Sequence, residues 1–521
     1  MTPAECAALV LETWHAFWRG EVEAGLRNFA PDATWLVPGS MPASGLKRGR
    51  EEIGRFRHGN LDIFAELTRE VVAVHAAEDC VTLEVQARGT LRDGRPYENS
   101  GCVVWELEDG KIRTVREYVD THKAMAIAAP AVASRQASGI TAASLIAEAR
   151  RRAGLDDFGS DYFREGLEQF VRSLDRELRL KPGGVLAVRE RALTYLTNRL
   201  QIEDWYRRHP EIDEQQIVAP VFGLGLPRTG STLLQCLIQQ DATTRSLRTW
   251  ESEQPCPPPE ATVGRDDPRI AAAAANWNAL TIAAPEILSM LPLEGPEDPT
   301  ECQDLLGLSF RSSAFVAAMM FGYLDWLSSC DMEPAYAYHK RALKLLQWRC
   351  PPRRWRLKSP VHMLNMEALA AVYPDARFVI THRDVARSIP SNAALVVAIG
   401  KLFVEELDPG RVGVGSATLW ERGMARLAAF RAQSDMRFYD VDFDDLQTDP
   451  IGTIRRLYDW LGDPVSPDYV QAMEAWLLEH RKGKHGENRV APQAYGLDAA
   501  VLRSRLAPFV TKETRPMGDT Q

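Results

Sequence analysis

Several absences narrow the chemistry of this chain before any motif is considered. None of its eight cysteines forms a C-x-x-C pair, which excludes a zinc ribbon and a thioredoxin-type redox motif. Cysteines scattered singly suit a reducing compartment rather than a disulfide framework. No H-E-x-x-H occurs among the ten histidines. His480 and His485 alone are a poor ligand set, so no metal is expected. Positive charge is not in excess: 62 Lys and Arg face 71 Asp and Glu, a net charge of −9. That argues against a nucleic-acid partner held by bulk electrostatics, and any anion must sit in a local basic pocket. No apolar run reaches the roughly 18 residues of a membrane span. The opening MTPAECAALV lacks the basic segment and apolar stretch of a secretory leader. A cytoplasmic protein with no membrane span is expected.

The 521 residues, 45% hydrophobic and 26% charged, suit a globular protein of more than one domain. Small residues and a proline in AMAIAAPAVASRQASG mark a linker. The expected division is a domain over 1–128, a linker over 129–139 and a domain over 140–513. In the first, apolar Ala7, Leu9, Val10, Trp14, Phe17 and Trp18 predict a helix over 4–30. A loop, WLVPGSMPASGLKRG, and a helix through Ile53 and Phe56 follow. Three strand candidates come next, the last broken by a hairpin signal at Asp109-Gly110. Helices followed by a meander predict an α+β cone. Together with NFAPDATWLVPG and the closing GKIRTVREYVDTHK, the pattern resembles the SnoaL-like, NTF2-like superfamily. Trp35, Tyr118, Asp120 and His122 are the residues expected to line such a cone. The resemblance also admits a homo-oligomer formed through this domain.

In the second half, helices lead into apolar strands alternating with helices, the mark of a parallel α/β sheet. The apolar run Ile217–Phe222 is followed by GLPRTGSTLL. Gly225 and Gly230 have the spacing of a phosphate-binding loop, but Ser231 stands where a lysine should reach the β/γ-phosphates of a nucleotide. Triphosphate hydrolysis is disfavoured. The loop still feeds a helix N-terminus with backbone N–H groups. Thr229, Ser231 and Thr232 add hydroxyls beside Gly230, and Arg228 can grip a phosphate or sulfate with two bonds. A second motif, HRDVARSIPSN, ends a strand at Phe378–Thr381. A helix beginning near Val385 would carry Ser391 back towards Arg383, completing a second anion site. Two anion sites on neighbouring strand ends suit a nucleotide phosphorylated at both its 5′ and 3′ positions.

GLPRTGSTLL, HRDVARSIPS, LQWRCPPRRWRLKSPVH, YDVDFDDLQTDPIGTIRRLYDWLG and HRKGKHGENR, in that order, resemble the PAPS-dependent sulfotransferases, particularly the bacterial branch with an LPRTGTT loop. The resemblance implies a P-loop-like parallel sheet flanked by helices. It implies binding of PAPS (3′-phosphoadenosine-5′-phosphosulfate) and transfer of its sulfonate, without a metal, to a hydroxyl or amine of a small-molecule, lipid or glycan acceptor, leaving PAP. The loop would then hold the 5′-phosphosulfate, and Arg383 with Ser391 the 3′-phosphate. Lys482 and Lys484 lie where the family covers that phosphate, and Lys358 can stabilise the leaving oxygen. Relative to the cytosolic animal enzymes, Arg228 replaces the loop lysine, Leu233 stands where a tryptophan often follows, and KSPVH replaces lysine–threonine–histidine. The general base is expected at Glu251, as in glutamate-using members, with His362 and then Glu301 as successors. The rival readings are a P-loop nucleotide kinase and a non-catalytic nucleotide-binding scaffold. The Ala-, Met- and aromatic-rich segment from Ile270 to Leu346 reads either as the wall of an apolar acceptor pocket or as helical core.

Overall fold

The structure, a computed structural model, describes residues 1–38, 45–59, 64–91, 96–120, 140–290, 295–480 and 490–509. They fall into two compact units, Met1–Gly139 and Ile140–Gln521. The segment expected as linker, 129–139, lies outside the described residues, as do His122, Lys482 and Lys484. Among the described residues no helix is long and apolar enough to cross a membrane.

The first unit opens with α1 (Pro3–Trp18). Thr2 caps it, its hydroxyl accepting from Glu5 N while the Glu5 carboxylate accepts from Thr2 N. The helix expected over 4–30 is shorter, because the chain turns at Gly20 with φ +82°, a conformation that glycine adopts without steric cost. A short α2 (Val22–Leu26) follows, and residues expected as helix end and loop instead form β1 (Phe29–Val37), paired antiparallel with β2 (Gly45–Arg48). After α3 (Gly49–Gly59) come β3 (Phe64–Ala76), β4 (Cys80–Leu91), β5 (Pro96–Glu108) and β6 (Lys111–Val119). The sheet order is β2-β1-β6-β5-β4-β3. Asp109 and Gly110, both at positive φ, make the two-residue turn between β5 and β6. Trp14, Trp35 and Trp105 are fully buried between helix and sheet. On β6 the parity differs from expectation: Tyr118 is 45% exposed on the outer face, and Glu117 faces inward at 6%. In a strand, one residue's shift exchanges the faces.

In the second unit, α4 (Ala142–Ala153), α5 (Phe163–Glu177) and α6 (Pro182–Arg208) precede five strands. These are β7 (Val221–Gly225), β8 (Thr244–Ser246), β9 (Arg354–Lys358), β10 (Arg377–His382) and β11 (Arg437–Asp442). The order is β11-β10-β7-β9-β8, every pairing parallel. The carboxyl ends therefore share one edge. The order reverses at β7, which is where open α/β sheets form their ligand crevice. The segment from Ile270 to Leu346 supplies mainly core: Met319, Met320, Tyr323, Leu324 and Tyr336 are buried in the main apolar cluster. Its first helix, Pro268–Ala283, is the exception, burying only Arg269 and Ala273.

Gly225 ends β7 at φ +113°, and a Cβ there would lie 2.4 Å from the Thr381 carbonyl oxygen on β10. Gly225→Ala combines a backbone clash with a disfavoured φ, and should cost on the order of 2–4 kcal/mol. Thermal unfolding of the variant against wild type measures this.

Candidate active site at the ends of β7, β9 and β10

Beyond Gly225 the loop curls around its own polar groups. Thr229, 1% exposed, donates through Oγ1 to Leu226 O at 2.6 Å, and the same oxygen lies 2.6 Å from Thr381 Oγ1 at the end of β10. Gly230, at φ +85°, starts the helix α7 (Ser231–Gln239) without a capping side chain. The first N–H groups of α7 thus meet no capping side chain, in keeping with an anion-binding N-terminus. A Cβ on Gly230 would press against Phe443 at 3.1 Å. Ser231 is buried and Thr232 half-buried at the start of the helix.

Arg228 takes a left-handed backbone, φ +69°, at a cost of about 1–2 kcal/mol for a residue with a Cβ. Two bonds oppose that cost. Arg383 Nη1 donates to Arg228 O at 2.9 Å, and Arg228 Nε donates to Ser391 Oγ at 3.2 Å. Ser391 arrives there on α8 (Val385–Phe403), a helix that includes Pro390 in its second turn. Arg228 is therefore joined to Arg383 and Ser391, both distant from it in sequence. The Arg383 guanidinium also lies 4.1 Å from the Phe443 ring centre, and its Nε is buried without a partner.

Neither guanidinium has an ion-pair partner among the described residues. The carboxylates near Arg383 in sequence are engaged elsewhere: Asp384 pairs with Arg503 at 2.6 Å and caps α8, and Asp375 accepts from Ala219 N at 2.6 Å. Burial, reinforced by Arg383, pushes Arg228 down to about 10. Burial, then Arg387, lowers Arg383 too, despite Asp444 and Asp384. Two cations held together and short of counter-charge are arranged for an anion that the protein does not supply. Beside them opens a cavity of about 630 Å³ whose lining includes Gly225, Thr229, Thr381, Arg383, Phe443 and Arg503, within the size range of small-ligand sites.

On the other side of β7, Lys358 at the end of β9 donates to Glu301 Oε1 at 2.7 Å and to Thr232 Oγ1 at 3.4 Å. Ser359 Oγ donates to Glu301 Oε2 at 3.2 Å. The Glu301 side chain is one-third exposed, whereas that of Lys358 is buried. The other two carriers expected for the base lie elsewhere. Glu251 is wholly buried and accepts from Arg245 Nη2 and Arg248 Nη2 at 2.7 Å each. Burial pushes its carboxyl up, but the two arginines outweigh this and hold it below 4.5. His362 is also wholly buried, with Nδ1 2.9 Å from Tyr336 Oη and its ring edge-on to Phe222. Burial, with His339 adding, holds it well below the ordinary histidine value.

Two features escaped the sequence reading. Nothing in YDVDFDDLQTDP marks Phe443; only folding sets its ring beside Gly230 and Arg383. His382 Nε2 lies 2.7 Å from Asp440 Oδ1 on β11, and Arg431 donates to both oxygens of that carboxylate. These partners outweigh burial and hold Asp440 at about 2.

Both parts of the chain are similar to known proteins. A family model described as "Sulfotransferase family" matches residues 220–467, and one described as "SnoaL-like domain" matches residues 10–115. The crystal structure of sulfotransferase STF1 from Mycobacterium tuberculosis H37Rv is 30% identical, covers 71% of this chain and 99% of its own, and superposes with a TM-score of 0.61. That of STF9 from Mycobacterium avium is 29% identical, covers 71% and 96%, with a TM-score of 0.63. A curated relative, omega-hydroxy-beta-dihydromenaquinone-9 sulfotransferase Stf3 from Mycobacterium bovis, is 29% identical over 127 residues, 24% of this chain. That match spans only 32% of the relative's length.

Glu251→Gln should destabilise the protein by about 3 kcal/mol at neutral pH, since Arg245 would be left buried without its counter-charge. The folded carboxyl sits below 4.5, so this stabilisation is complete above that value and is lost as pH falls through the lower folded pKa. Denaturant melts of both proteins should therefore differ at pH 7 and converge in acid.

Proposed function

We propose a reaction for this chain from the premise that it belongs to the sulfotransferase family: transfer of the sulfonate of PAPS to a hydroxyl or amine of an acceptor, releasing PAP. The observation that carries the reading is the Arg228–Ser391 bond, with Arg383 held on Arg228 O and neither guanidinium paired to a carboxylate. In this reading the loop from Gly225 to Thr232 holds the 5′-phosphosulfate, and Arg383 with Ser391 the 3′-phosphate. The orphaned Arg383 Nε and the side-chain-free curve at Gly230 fit such a ligand. Lys482 and Lys484, outside the described residues, are proposed to supply positive charge to the 3′-phosphate.

The acceptor oxygen attacks sulfur in line, its proton leaves to a base, and the S–O bond to the phosphate breaks with its electron pair on the bridging oxygen. In this reading Arg228, the α7 N-terminus and Lys358 stabilise that charge. We assign the base to Glu301 rather than Glu251 or His362. Glu301 is the partly exposed carboxylate, and it already shares Lys358 with Thr232 of the loop. Donor binding would draw Lys358 towards the bridging oxygen and free Glu301 to accept the proton. Glu251, with its oxygens engaged by two arginines, acts instead as a positioning residue for the segment after β8. His362 serves the core. The free cysteines suit a reducing compartment, and we place the reaction in the cytoplasm. Self-association, if the amino-terminal unit drives it, would use the stretch of β3 where Val72 and Val74 are exposed.

Calorimetric titration with PAP should give micromolar or tighter binding, weakened at least about tenfold in Arg228→Ala and in Arg383→Ala, since each removes a charge-assisted contact. ATP with Mg²⁺ should bind more weakly. Tight ATP binding with no preference for PAP would sink this reading and return the loop to the kinase class. With an acceptor found by screening alcohols and phenols against labelled PAPS, Glu301→Gln should lower turnover by about 10²–10⁴ while leaving PAP affinity unchanged. Unchanged turnover would remove Glu301 from the mechanism.

A further inference from the structure

The cavity of about 630 Å³ beside Arg383 is not accounted for by the two phosphates of the donor. Arg228, Ser231, Thr232 and Ser391, which the donor reading gives to those phosphates, do not line it. Nor do Lys358 and Glu301, given to the reacting oxygens, whereas Arg383 does. Alternate residues of a strand share a face. On β10, Phe378 and Ile380 belong to the main apolar cluster together with Met363 and Leu427, and His382 follows on their face. The cavity therefore opens towards the side of the sheet covered by α9 (Pro409–Gln433), which contributes Met424, Leu427 and Ala428 to its wall.

Its two ends differ in chemistry. At one end Met363, Met424, Leu427 and Phe509 pack in or against the main apolar cluster. Methionine is unbranched and polarisable, and adapts to a flexible chain. At the other end stand Arg383 and Arg387. Arg387, in the first turn of α8, is exposed and makes no side-chain hydrogen bond or ion pair among the described residues. The remaining charges on the wall are spent. Arg431 is held by Asp440 and Arg503 by Asp384. Asp442 accepts from the backbone N–H groups of Asp444 and Asp445. Of the lining carboxylates this leaves Asp444, so two unpaired guanidiniums face one unpaired carboxylate. The mouth is short of one negative charge, and behind it lies an apolar interior. Small-ligand sites combine such walls with a few polar groups that fix orientation.

We propose that this cavity is a second ligand site, for an aliphatic carboxylate whose acid group meets Arg387 and Arg383 and whose chain lies between Met363, Met424, Leu427 and Phe509. It rests on the donor reading in one respect: Arg383 would be shared with the 3′-phosphate, so each ligand weakens the other at most to a finite limit.

The test is calorimetric titration of the full chain with octanoate, with its neutral match octanamide, and with acetate. Octanoate should bind at least about tenfold more tightly than either, because only it offers both a charge-assisted pair and a chain to bury. Arg387→Gln should weaken octanoate about tenfold or more. Ala428→Trp, which fills the cavity from α9, should abolish octanoate binding and leave PAP titration unchanged. With PAP saturating, octanoate should still bind, its affinity reduced no further as PAP is raised. Octanoate affinity equal to that of the amide or of acetate, or no binding at millimolar concentration, would overturn the proposal. So would full octanoate affinity in either variant, or its loss in proportion to PAP, which would put both ligands in one place. Should Ala428→Trp fail to fold, the exposed Arg387→Gln and the wild-type comparisons decide the matter. If octanoate bound as expected and PAP did not bind at all, the sulfotransferase reading alone would fall.

Discussion

Two threonine hydroxyls, on Thr229 and Thr381, meet at 2.6 Å where β7 and β10 end, and the anion-binding part of the second unit depends on that contact. It exists because β10 lies directly beside β7, with Thr381 in register with Gly225. Gly225 has no Cβ to hold the strands apart. Once the hydroxyls meet, the loop is fixed relative to β10, Arg383 reaches the Arg228 carbonyl, and Arg228 is turned towards Ser391. A wider spacing would leave two unconnected loops. The same edge brings Lys358 in from β9 on the other side, so that one short loop is gripped by its two neighbouring strands.

The distribution of carboxylates is as telling as that of the arginines. Asp384 is given to Arg503, Glu251 to Arg245 and Arg248, and Glu301 to Lys358. Asp375 holds a backbone N–H. These four are occupied, and Asp444, whose charge opposes the lowering of Arg383, makes no ion pair with it, so the positive charge of the loop stays available. A chain with net negative charge can in this way present a local site for a dianionic group. Within the amino-terminal unit the same principle recurs on a smaller scale: Glu117 contacts Arg69, and Arg57 is left among aromatic rings with unsatisfied donors.

Much of this was legible in the residues alone. Glycine spacing, the absent lysine and the apolar run before the loop predict a strand, a turn and an anion-binding helix end, because these are local properties of backbone and dipole. The spacing from Arg383 to Ser391 carries helical periodicity and so predicts their return to one place. Asp109-Gly110 predicts its turn for the same local reason. The errors also have physical causes. Gly20 ends a helix that its apolar spacing would have continued, and β1 was hidden by Pro31 and by a helix reading that ran through Phe29. Tyr118 and Glu117 differ by a single strand position, so a parity error moved the polar cluster of the first unit out of view.

What the sequence by itself determined is the chemistry available at each turn: which side chains carry charge, which glycines permit a tight approach, and which family these belong to. Only the tertiary structure decided which charges are spent on one another. Glu251 and Glu301 look equivalent as carboxylates in a chain, yet burial against Arg245 and Arg248 occupies the first, and a half-open place beside Lys358 leaves the second within reach of the loop. His362 has the right side chain for a base and is enclosed by Phe222 and Tyr336. Pairing and burial depend on contacts between residues distant in sequence, and those contacts exist only once the sheet has set its strand order.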